Sequence, residues 1–247
     1  LDSSFRRNGT TGTDLYIAGF LNDSKWQEEL VIAILDNFLV AIYNKNLIVK
    51  IGNMTISENT LKNIIESFKI SEKKKYQSIW SYYQVLTSTD NPAENPNSFF
   101  LGDTFRDLGA FELKILYDNL NRKVLISRAN GMKIFDLDRL PSNVRFSAIF
   151  ILSGDNLNNY FKQMEAPQHD SWEPDRHPDK NAKNVLRELK QLIINKIIEL
   201  GKSNVEEHMD VEGIGKFLPD NLLLLDASVE NSKIDKISDE TRKVSAE

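Results

Sequence analysis

The sequence predicts a mixed α+β fold, in which helices pack on a small and mostly antiparallel sheet. Several segments carry apolar residues at the spacing of an amphipathic helix, and others alternate apolar and polar residues as half-buried strands do. The helical segments stand both before and after a group of strands. This order is typical of domains whose helices cover one or both faces of a sheet.

An apolar strand is predicted over residues 14–20, and three helices and a second strand are predicted between residues 24 and 87. Ser24 and Gln27 form a capping box, and the helix that follows is apolar around most of its circumference, so we expect it to be buried. Ser57 caps the second helix, and the charged run 72–75 leads into the third. Residues 47–51 alternate apolar and polar side chains and predict a strand between the first two helices.

The middle of the chain predicts a loop and three strands. Residues 88–104 are rich in Thr, Ser, Asn and Asp and contain two prolines, which favours either a boundary between two lobes or a long loop within one sheet. Residues 111–117 and 123–128 predict two strands that are joined by a hairpin turn at 118–121. Residues 146–152 are more continuously apolar, so we expect this third strand at the centre of the sheet.

Two further helices are predicted towards the C-terminus. Asp155 caps a helix over residues 156–165, and a proline-rich, charged segment follows at 166–179 with little regular structure. A long amphipathic helix then begins at Asp179. It is predicted to end at Gly201, because glycine commonly terminates helices.

Composition excludes several classes of function. The chain has no cysteine, which rules out disulfides, thiolate metal ligands and a cysteine nucleophile, and which fits a reducing cytoplasm. The net charge of -5 argues against nucleic-acid binding by the whole surface, although not by a local basic patch. The longest apolar run is far shorter than the roughly 20 residues of a membrane-spanning helix, so we expect no contact with a membrane.

Four short motifs occur in a consistent order over residues 12–175. They are Gly-Thr-Asp-Leu-Tyr-Ile at 12–17; Trp26, Leu35-Asp36-Asn37-Phe38 and Ala41-Ile42; Ser-Arg-Ala-Asn-Gly-Met-Lys-Ile at 127–134; and Met-Glu-Ala-Pro-Gln-His-Asp-Ser-Trp at 164–172. The first resembles the Gly-Thr strand that closes the nucleotide-binding domain of the GHKL ATPases, the superfamily of gyrase, heat-shock chaperones, histidine kinases and MutL. The other three resemble the middle region of bacterial GHKL-type ATPases, whose second domain is similar to the transducer domain of gyrase and MutL.

The resemblance implies that Gly12 and Thr13 lie near the phosphates of ATP, and we name them as candidate cofactor-binding residues. Glycine lets the backbone approach a phosphate and threonine offers a hydroxyl, although a flexible turn before a strand explains the pair more simply. The Asn-bearing helix and the Asp-Gly loops by which the family holds ATP and Mg²⁺ are not seen before Gly9. We therefore expect ATP and Mg²⁺ to bind an upstream ATPase domain, and not to bind this chain tightly by itself. The family's transducer also supplies a lysine to the γ-phosphate, and the motifs single out no residue for that role here.

The resemblance also implies a domain organisation and a mechanical function. Residues 1–20 would be the trailing strand of the upstream nucleotide-binding domain, and residues 21–178 the transducer-like α+β domain, with a lobe break at 88–104. Residues 179–226 would form a helical extension, and the polar, aromatic-free residues 227–247 a flexible tail. Such a chain would convert the ATP state of the upstream domain into a rearrangement of subunits, as in a homodimer, or of a bound partner. Bacterial relatives of this type often stand near genome-defence systems.

A metal-dependent nuclease is the second hypothesis. Glu112 and Lys114 are two residues apart on a predicted strand, so their side chains share one face. Asp103 or Asp107 could complete a Mg²⁺ site for phosphodiester cleavage. The Glu-x-Lys pattern is more often simply the solvated face of an ordinary strand, which is the favoured interpretation. A third hypothesis is a non-catalytic interaction module that docks through the predicted helix over 179–200.

Three further features have both a functional and a simpler interpretation. The run 169–179 holds two histidines and several carboxylates, which could ligate Zn²⁺ or Mn²⁺. Its histidines are eight residues apart in a proline-broken loop, so an ordered connector with Trp172 packed on the core is favoured, and no metal ligand is named. Asn37 would contact a nucleotide or a neighbouring lobe; the simpler interpretation is a hydrogen-bonded asparagine in the core or one on the solvent-facing side of its helix.

The third feature is the basic region 122–145, which could follow the phosphates of a nucleic acid or simply be part of a surface of mixed charge. Its basic residues are Arg122, Lys123, Arg128, Lys133, Arg139 and Arg145.

Overall fold

The computed structural model of the protein describes residues 25–67, 74–119, 121–138 and 144–208. Within these residues it confirms the mixed α+β fold. The helices are α1 (Trp26–Tyr43), α2 (Glu58–Ser67), α3 (Lys74–Asp90), α4 (Asp155–Lys162) and α5 (Ala182–His208). The strands are β1 (Val49–Ile51), β2 (Met54–Ile56), β3 (Ser98–Phe105), β4 (Gly109–Tyr117), β5 (Val124–Arg128), β6 (Lys133–Leu137) and β7 (Phe146–Leu152). None of the described helices combines the length and the apolar character that a membrane crossing needs.

The chain divides into two units after Glu206, and the features below belong to the first, apart from the last two residues of α5. Five of its strands form one mixed sheet in the order β3-β4-β7-β5-β6. The predicted central position of residues 146–152 is confirmed, because β7 is buried along its whole length. The predicted hairpin at 118–121 is wrong, since β7 lies between β4 and β5, antiparallel to the first and parallel to the second. A strand that is apolar on both faces is favoured at the centre of a sheet, even where it separates strands that are neighbours in sequence.

The loop predicted at 88–104 is wrong at both ends, because residues 88–90 belong to α3 and β3 begins at Ser98. β3 pairs with β4 in antiparallel register from Ser98 opposite Leu116 to Phe105 opposite Gly109. Gly102, Asp103 and Thr104 are exposed, and their polar character resembles that of a loop. Pairing with a neighbouring strand supplies the backbone hydrogen bonds that composition does not reveal.

Each face of the five-stranded sheet carries its own apolar core. α4 and α5 pack on one face, where Phe111 and Phe150 stack with their ring centroids 5.0 Å apart. α1, α2 and α3 pack on the other face, together with the small β1-β2 sheet. The second core encloses Leu35, Leu39 and Tyr82, each at most 2% exposed.

α5 continues through Gly201 to His208, so the predicted helix end at Gly201 is wrong. Gly201 serves close packing, because a Cβ there would lie 3.0 Å from the ring of Tyr117. The Tyr117 hydroxyl also donates a hydrogen bond of 2.7 Å to the backbone oxygen of Ile197. The apolar stripe of α5 is buried by the chain's own core, and its residues are Val185, Leu186, Leu189, Ile193 and Ile197. The helix therefore offers no free apolar stripe over these positions for the docking role that the third hypothesis gave it.

The predicted caps have mixed outcomes. α1 begins after Lys25, whose side chain makes no capping bond, while Ser24 lies outside the described residues. Ser57 does precede α2, and its backbone N–H donates to the hydroxyl of Thr60 at 2.9 Å. α4 begins at Asp155 itself, with Gly154 at the capping position.

Candidate functional site

The turn between β5 and β6 packs directly against helix α1. The backbone N–H of Arg128 donates to the oxygen of Met132 at 2.9 Å, and the N–H of Gly131 donates back to the oxygen of Arg128 at 2.9 Å. Gly131 has a φ of +87°, which only glycine adopts without strain. A Cβ on this glycine would lie 2.4 Å from the backbone nitrogen of Ala41. The backbone of the turn therefore packs directly against the backbone of α1, with no room for a side chain at position 131.

An ion-pair cluster ties the same turn to the connector that follows α4. The guanidinium of Arg128 donates to both carboxylate oxygens of Glu165, at 2.9 Å from Nε to Oε1. The side chain of Glu165 is 2% exposed and that of Arg128 is 14% exposed. His169 completes the cluster, with its Nδ1 2.9 Å from Glu165 Oε2 and 3.0 Å from Arg128 Nη2. The neutral ring can accept from Arg128, and the protonated ring can donate to Glu165.

The connector over 164–173 folds back on itself, and this places His169. A single β-bridge joins Glu165 to Trp172, and the N–H of Ala166 donates to the oxygen of Ser171 at 3.0 Å. His169 has a φ of +60°, in the left-handed region of the backbone. This conformation costs a residue other than glycine roughly 1–2 kcal/mol. The contacts of its ring with the buried Arg128–Glu165 pair offset this strain. The side chain of His169 remains half exposed.

Trp172 anchors the connector on the core, as the sequence predicted. Its ring is perpendicular to that of Phe135, with centroids 4.9 Å apart, and lies 4.6 Å from that of Phe161. His177, the second histidine of the run, makes no hydrogen bond with His169. Its Nδ1 instead accepts a hydrogen bond of 3.0 Å from the backbone N–H of Asp179. Within the described ranges, no group of three or more histidine, aspartate or glutamate residues is arranged to hold a metal ion.

Lys133 joins α1 to the sheet through a second polar network. Its Nζ lies 2.8 Å from Asp36 of α1 and 3.0 Å from Asp136 of β6. The hydroxyl of Tyr82, on α3, donates to the other oxygen of Asp136 at 2.9 Å. Burial lowers the pKa of Lys133, but the charges of Asp136 and Asp36 and the hydrogen bonds to them outweigh it, so this pKa is raised. Burial, together with the nearby charge of Asp136, holds the pKa of Tyr82 well above its ordinary value.

We expect this network to make the protein lose stability at alkaline pH. A lysine or tyrosine whose pKa is raised on folding contributes stability that is complete below its unfolded-state pKa and is lost as pH rises through the folded-state value. The free energy of unfolding should therefore fall above the ordinary values of about 10 for Tyr82 and 10.5 for Lys133. Urea unfolding over a series of alkaline pH values measures this fall. It should be shallower in Lys133→Met and unchanged in Lys196→Met, whose lysine makes an exposed pair with Glu199; equal slopes in both variants would contradict the assignment.

The structure does not bring the predicted nuclease residues together on one face. Asp103 pairs with Phe111 and so lies on the α4-α5 face of the sheet, whereas Glu112 and Lys114 lie on the opposite face. Lys114 makes an ion pair of 3.3 Å with Asp90, at the end of α3. Asp107 lies in the turn between β3 and β4. The arrangement therefore does not converge on a shared metal ion.

The remaining candidate residues are divided between the described and the undescribed parts of the chain. Gly12 and Thr13 lie outside the described residues, as does Arg139. Asn37 is exposed on α1, where its side chain donates to the oxygen of Ala33 at 2.8 Å, which is the simpler of its two interpretations. Of the basic region, Arg128 and Lys133 are bound to carboxylates.

Sequence reasoning did not find the Arg128–Glu165–His169 cluster, although it had selected both segments that contain it. The available signal was a charged residue next to buried apolar residues in each segment: Arg128 is the last residue of the buried strand β5, and Glu165 follows the buried Met164. Such a charge is stable only when it has a partner. In comparisons with known proteins, no family model, no curated protein and no solved structure matches this chain.

Proposed function

We propose that this chain is the transducer-like part of a GHKL-type ATPase, and that it relays the ATP state of an upstream domain to a neighbouring subunit or a bound partner. One observation supports this proposal most. Three of the segments that carry the resemblance, which are far apart in sequence, lie in direct contact: α1, the turn over 128–132 and the connector over 164–173.

The contacts form a continuous path through the fold. Asp36 of α1 holds Lys133 on β6, and Ala41 of the same helix lies against Gly131 in the turn. Arg128, in the same turn, holds Glu165 of the connector. Close-packed interiors transmit displacements because they cannot be compressed, so a shift of α1 relative to the sheet would move the turn and with it the connector.

The described residues along this path do not offer a site for a triphosphate. Arg128 and Lys133, two largely buried cations on this path, are each already paired with carboxylates. By the resemblance, ATP and Mg²⁺ would bind the proposed upstream domain, with Gly12 and Thr13 as the residues of this chain nearest to the phosphates. If the partner is a nucleic acid, its phosphates would meet Arg122, Lys123 and Arg145, which backbone hydrogen bonds bring together at one end of the sheet.

The first test measures nucleotide binding by the 247-residue chain itself. Titration with a fluorescent ATP analogue in the presence of Mg²⁺ should give no saturable binding in the micromolar range. Saturable micromolar binding would contradict the assignment of ATP to an upstream domain.

The second test measures the relay in the polypeptide extended through the proposed upstream domain. A non-hydrolysable ATP analogue should change the hydrogen exchange of amides in 128–132 and 164–173. Arg128→Lys keeps the charge but loses the two-pronged bond to Glu165, so it should reduce this change. Arg176→Lys is the matched control, since Arg176 forms an exposed pair with Glu173 in the same connector. The relay would be refuted if the nucleotide analogue did not change the hydrogen exchange of these amides. It would also be refuted if the change were the same in Arg128→Lys and Arg176→Lys.

A further inference from the structure

The turn between β5 and β6 contains an asparagine that is followed directly by a glycine, Asn130-Gly131. Asparagine is a thermolabile residue, and it loses its side-chain amide most readily before glycine, because glycine has no Cβ to shield the attacking nitrogen. Asn130 is exposed to solvent, whereas Gly131 is buried against α1. The turn therefore presents the amide that can react and buries the nitrogen that would attack it.

The reaction at such a pair is deamidation through a cyclic imide. Hydroxide removes the proton of the Gly131 nitrogen, which then forms a bond to Cγ of Asn130. The bond from Cγ to Nδ2 breaks, and ammonia leaves with a proton from water. A water molecule then adds to one of the two imide carbonyls and breaks its bond to the nitrogen. The product is aspartate, or isoaspartate if the main chain now runs through the former side-chain carbonyl, and water is the only co-reactant.

The folded turn opposes ring closure at both reacting groups. Oδ1 of Asn130 accepts the backbone N–H of Met132 at 3.0 Å, which fixes the side chain. The N–H of Gly131 donates to the oxygen of Arg128 at 2.9 Å, and the cyclic imide has no N–H with which to keep this bond. Closing the ring also rotates the peptide at Gly131, where the backbone of Ala41 leaves no room even for a Cβ. The reaction therefore requires the turn to separate from α1.

We propose that Asn130 is a site of spontaneous deamidation that reacts only when the turn separates from α1, and that its isoaspartyl product keeps the turn from closing again. Isoaspartate adds one carbon atom to the main chain of the turn. The lengthened turn cannot keep the hydrogen bonds that Arg128 makes with Gly131 and Met132 together with the backbone contact to Ala41. The modification would thus release the turn from α1 irreversibly. This site does not depend on the ATPase proposal.

Peptide mapping by mass spectrometry measures the reaction in the natural chain at mildly alkaline pH. Deamidation of Asn130 should be at least roughly tenfold slower in buffer than in urea that unfolds the chain, because it requires a local opening. Asn8-Gly9 is the other Asn-Gly pair of the chain and serves as the chemical reference in urea, where the two pairs should react at similar rates. Equal rates for Asn130 in buffer and in urea, or no reaction in urea, would overturn the proposal.

Asp36→Asn tests whether the contact with α1 controls the reaction. It removes the ion pair between α1 and Lys133, while Lys133 keeps its pair with Asp136, so no buried charge is left without a partner. Deamidation of Asn130 in buffer should become severalfold faster. Glu29→Gln is the matched control, because it neutralises an exposed carboxylate of the same helix, and it should leave the rate unchanged. Equal rates in the two variants would contradict control by α1. Circular dichroism checks that both variants are folded.

The isoaspartyl form, separated by chromatography and refolded, tests the effect of the product. Asn130→Asp is its matched control, since it carries the same charge without the added main-chain atom and can still accept the N–H of Met132. Amides in 128–132 should exchange hydrogen faster in the isoaspartyl form than in Asn130→Asp. Equal exchange in the two forms would show that the product lets the turn close, and would overturn this part of the proposal.

Discussion

Replacing Gly131 with alanine should destabilise the protein by about 3 kcal/mol or more. Two effects add at this position. An alanine at a positive φ costs roughly 1–2 kcal/mol, and inserting a methyl group into a closed contact costs about 1–3 kcal/mol. Here the added Cβ would meet the backbone nitrogen and Cα of Ala41 at 2.4 and 2.6 Å, and backbone atoms inside a helix cannot move aside as a flexible side chain can. Urea unfolding measures the loss of stability.

Gly52→Ala separates the two effects. Gly52 also has a positive φ, of +56°, but the nearest atom to an added Cβ is the Gln27 side-chain nitrogen at 3.9 Å. This variant should therefore show the backbone strain alone, about 1 kcal/mol. If Gly131→Ala destabilises the protein no more than Gly52→Ala, then α1 and the turn do not pack as closely as described.

The parts of the fold that could be predicted from sequence are those with a local cause. Six of the seven residues of β7 are apolar, so this strand is stable only where both of its faces are covered, and it does lie at the centre of the sheet. The apolar stripe of α5 similarly predicts a helix on the core, and its stripe is buried. In both cases, the residues that determine the structure of the segment lie within that segment.

The errors concern features that depend on distant partners. Residues 118–121 have the composition of a hairpin turn, but nothing near them shows that β7, which begins at Phe146, will separate the flanking strands. β3 resembles a loop because an edge strand needs only one neighbour and keeps its polar residues in solvent. Topology follows from competition among all strands for the central positions, which no single window of sequence contains.

The candidate site was predicted only in part, for the same reason. The motifs at 127–134 and 164–172 identified the right segments through their resemblance, yet Arg128 and Glu165 are 37 residues apart and no spacing rule joins them. His169 was considered as a metal ligand, whereas its ring nitrogen binds the buried ion pair. Residue types suggested which chemistry was available, and the fold decided which groups meet.

Breaking the Arg128–Glu165 pair should also cause a large loss of stability. We expect Glu165→Gln to lower the free energy of unfolding by about 3 kcal/mol. The substitution leaves the Arg128 guanidinium largely buried without its counter-charge, and loss of one partner of a buried ion pair costs about 3–5 kcal/mol. The half-exposed His169 lets some water reach the cluster, which favours the lower end of this range. Glu173→Gln is the control in the same connector. Its exposed pair with Arg176 should contribute less than about 1 kcal/mol.

A double-mutant cycle distinguishes a coupled pair from two independent packing losses. Removing both charges in Arg128→Met with Glu165→Gln leaves no buried ion without a partner, so the double variant should be destabilised by clearly less than the sum of the single variants. Strict additivity would mean that the two side chains stabilise the fold separately. In that case the connector would not be held to the turn by this pair, and the path from α1 to the connector would be broken at its last contact.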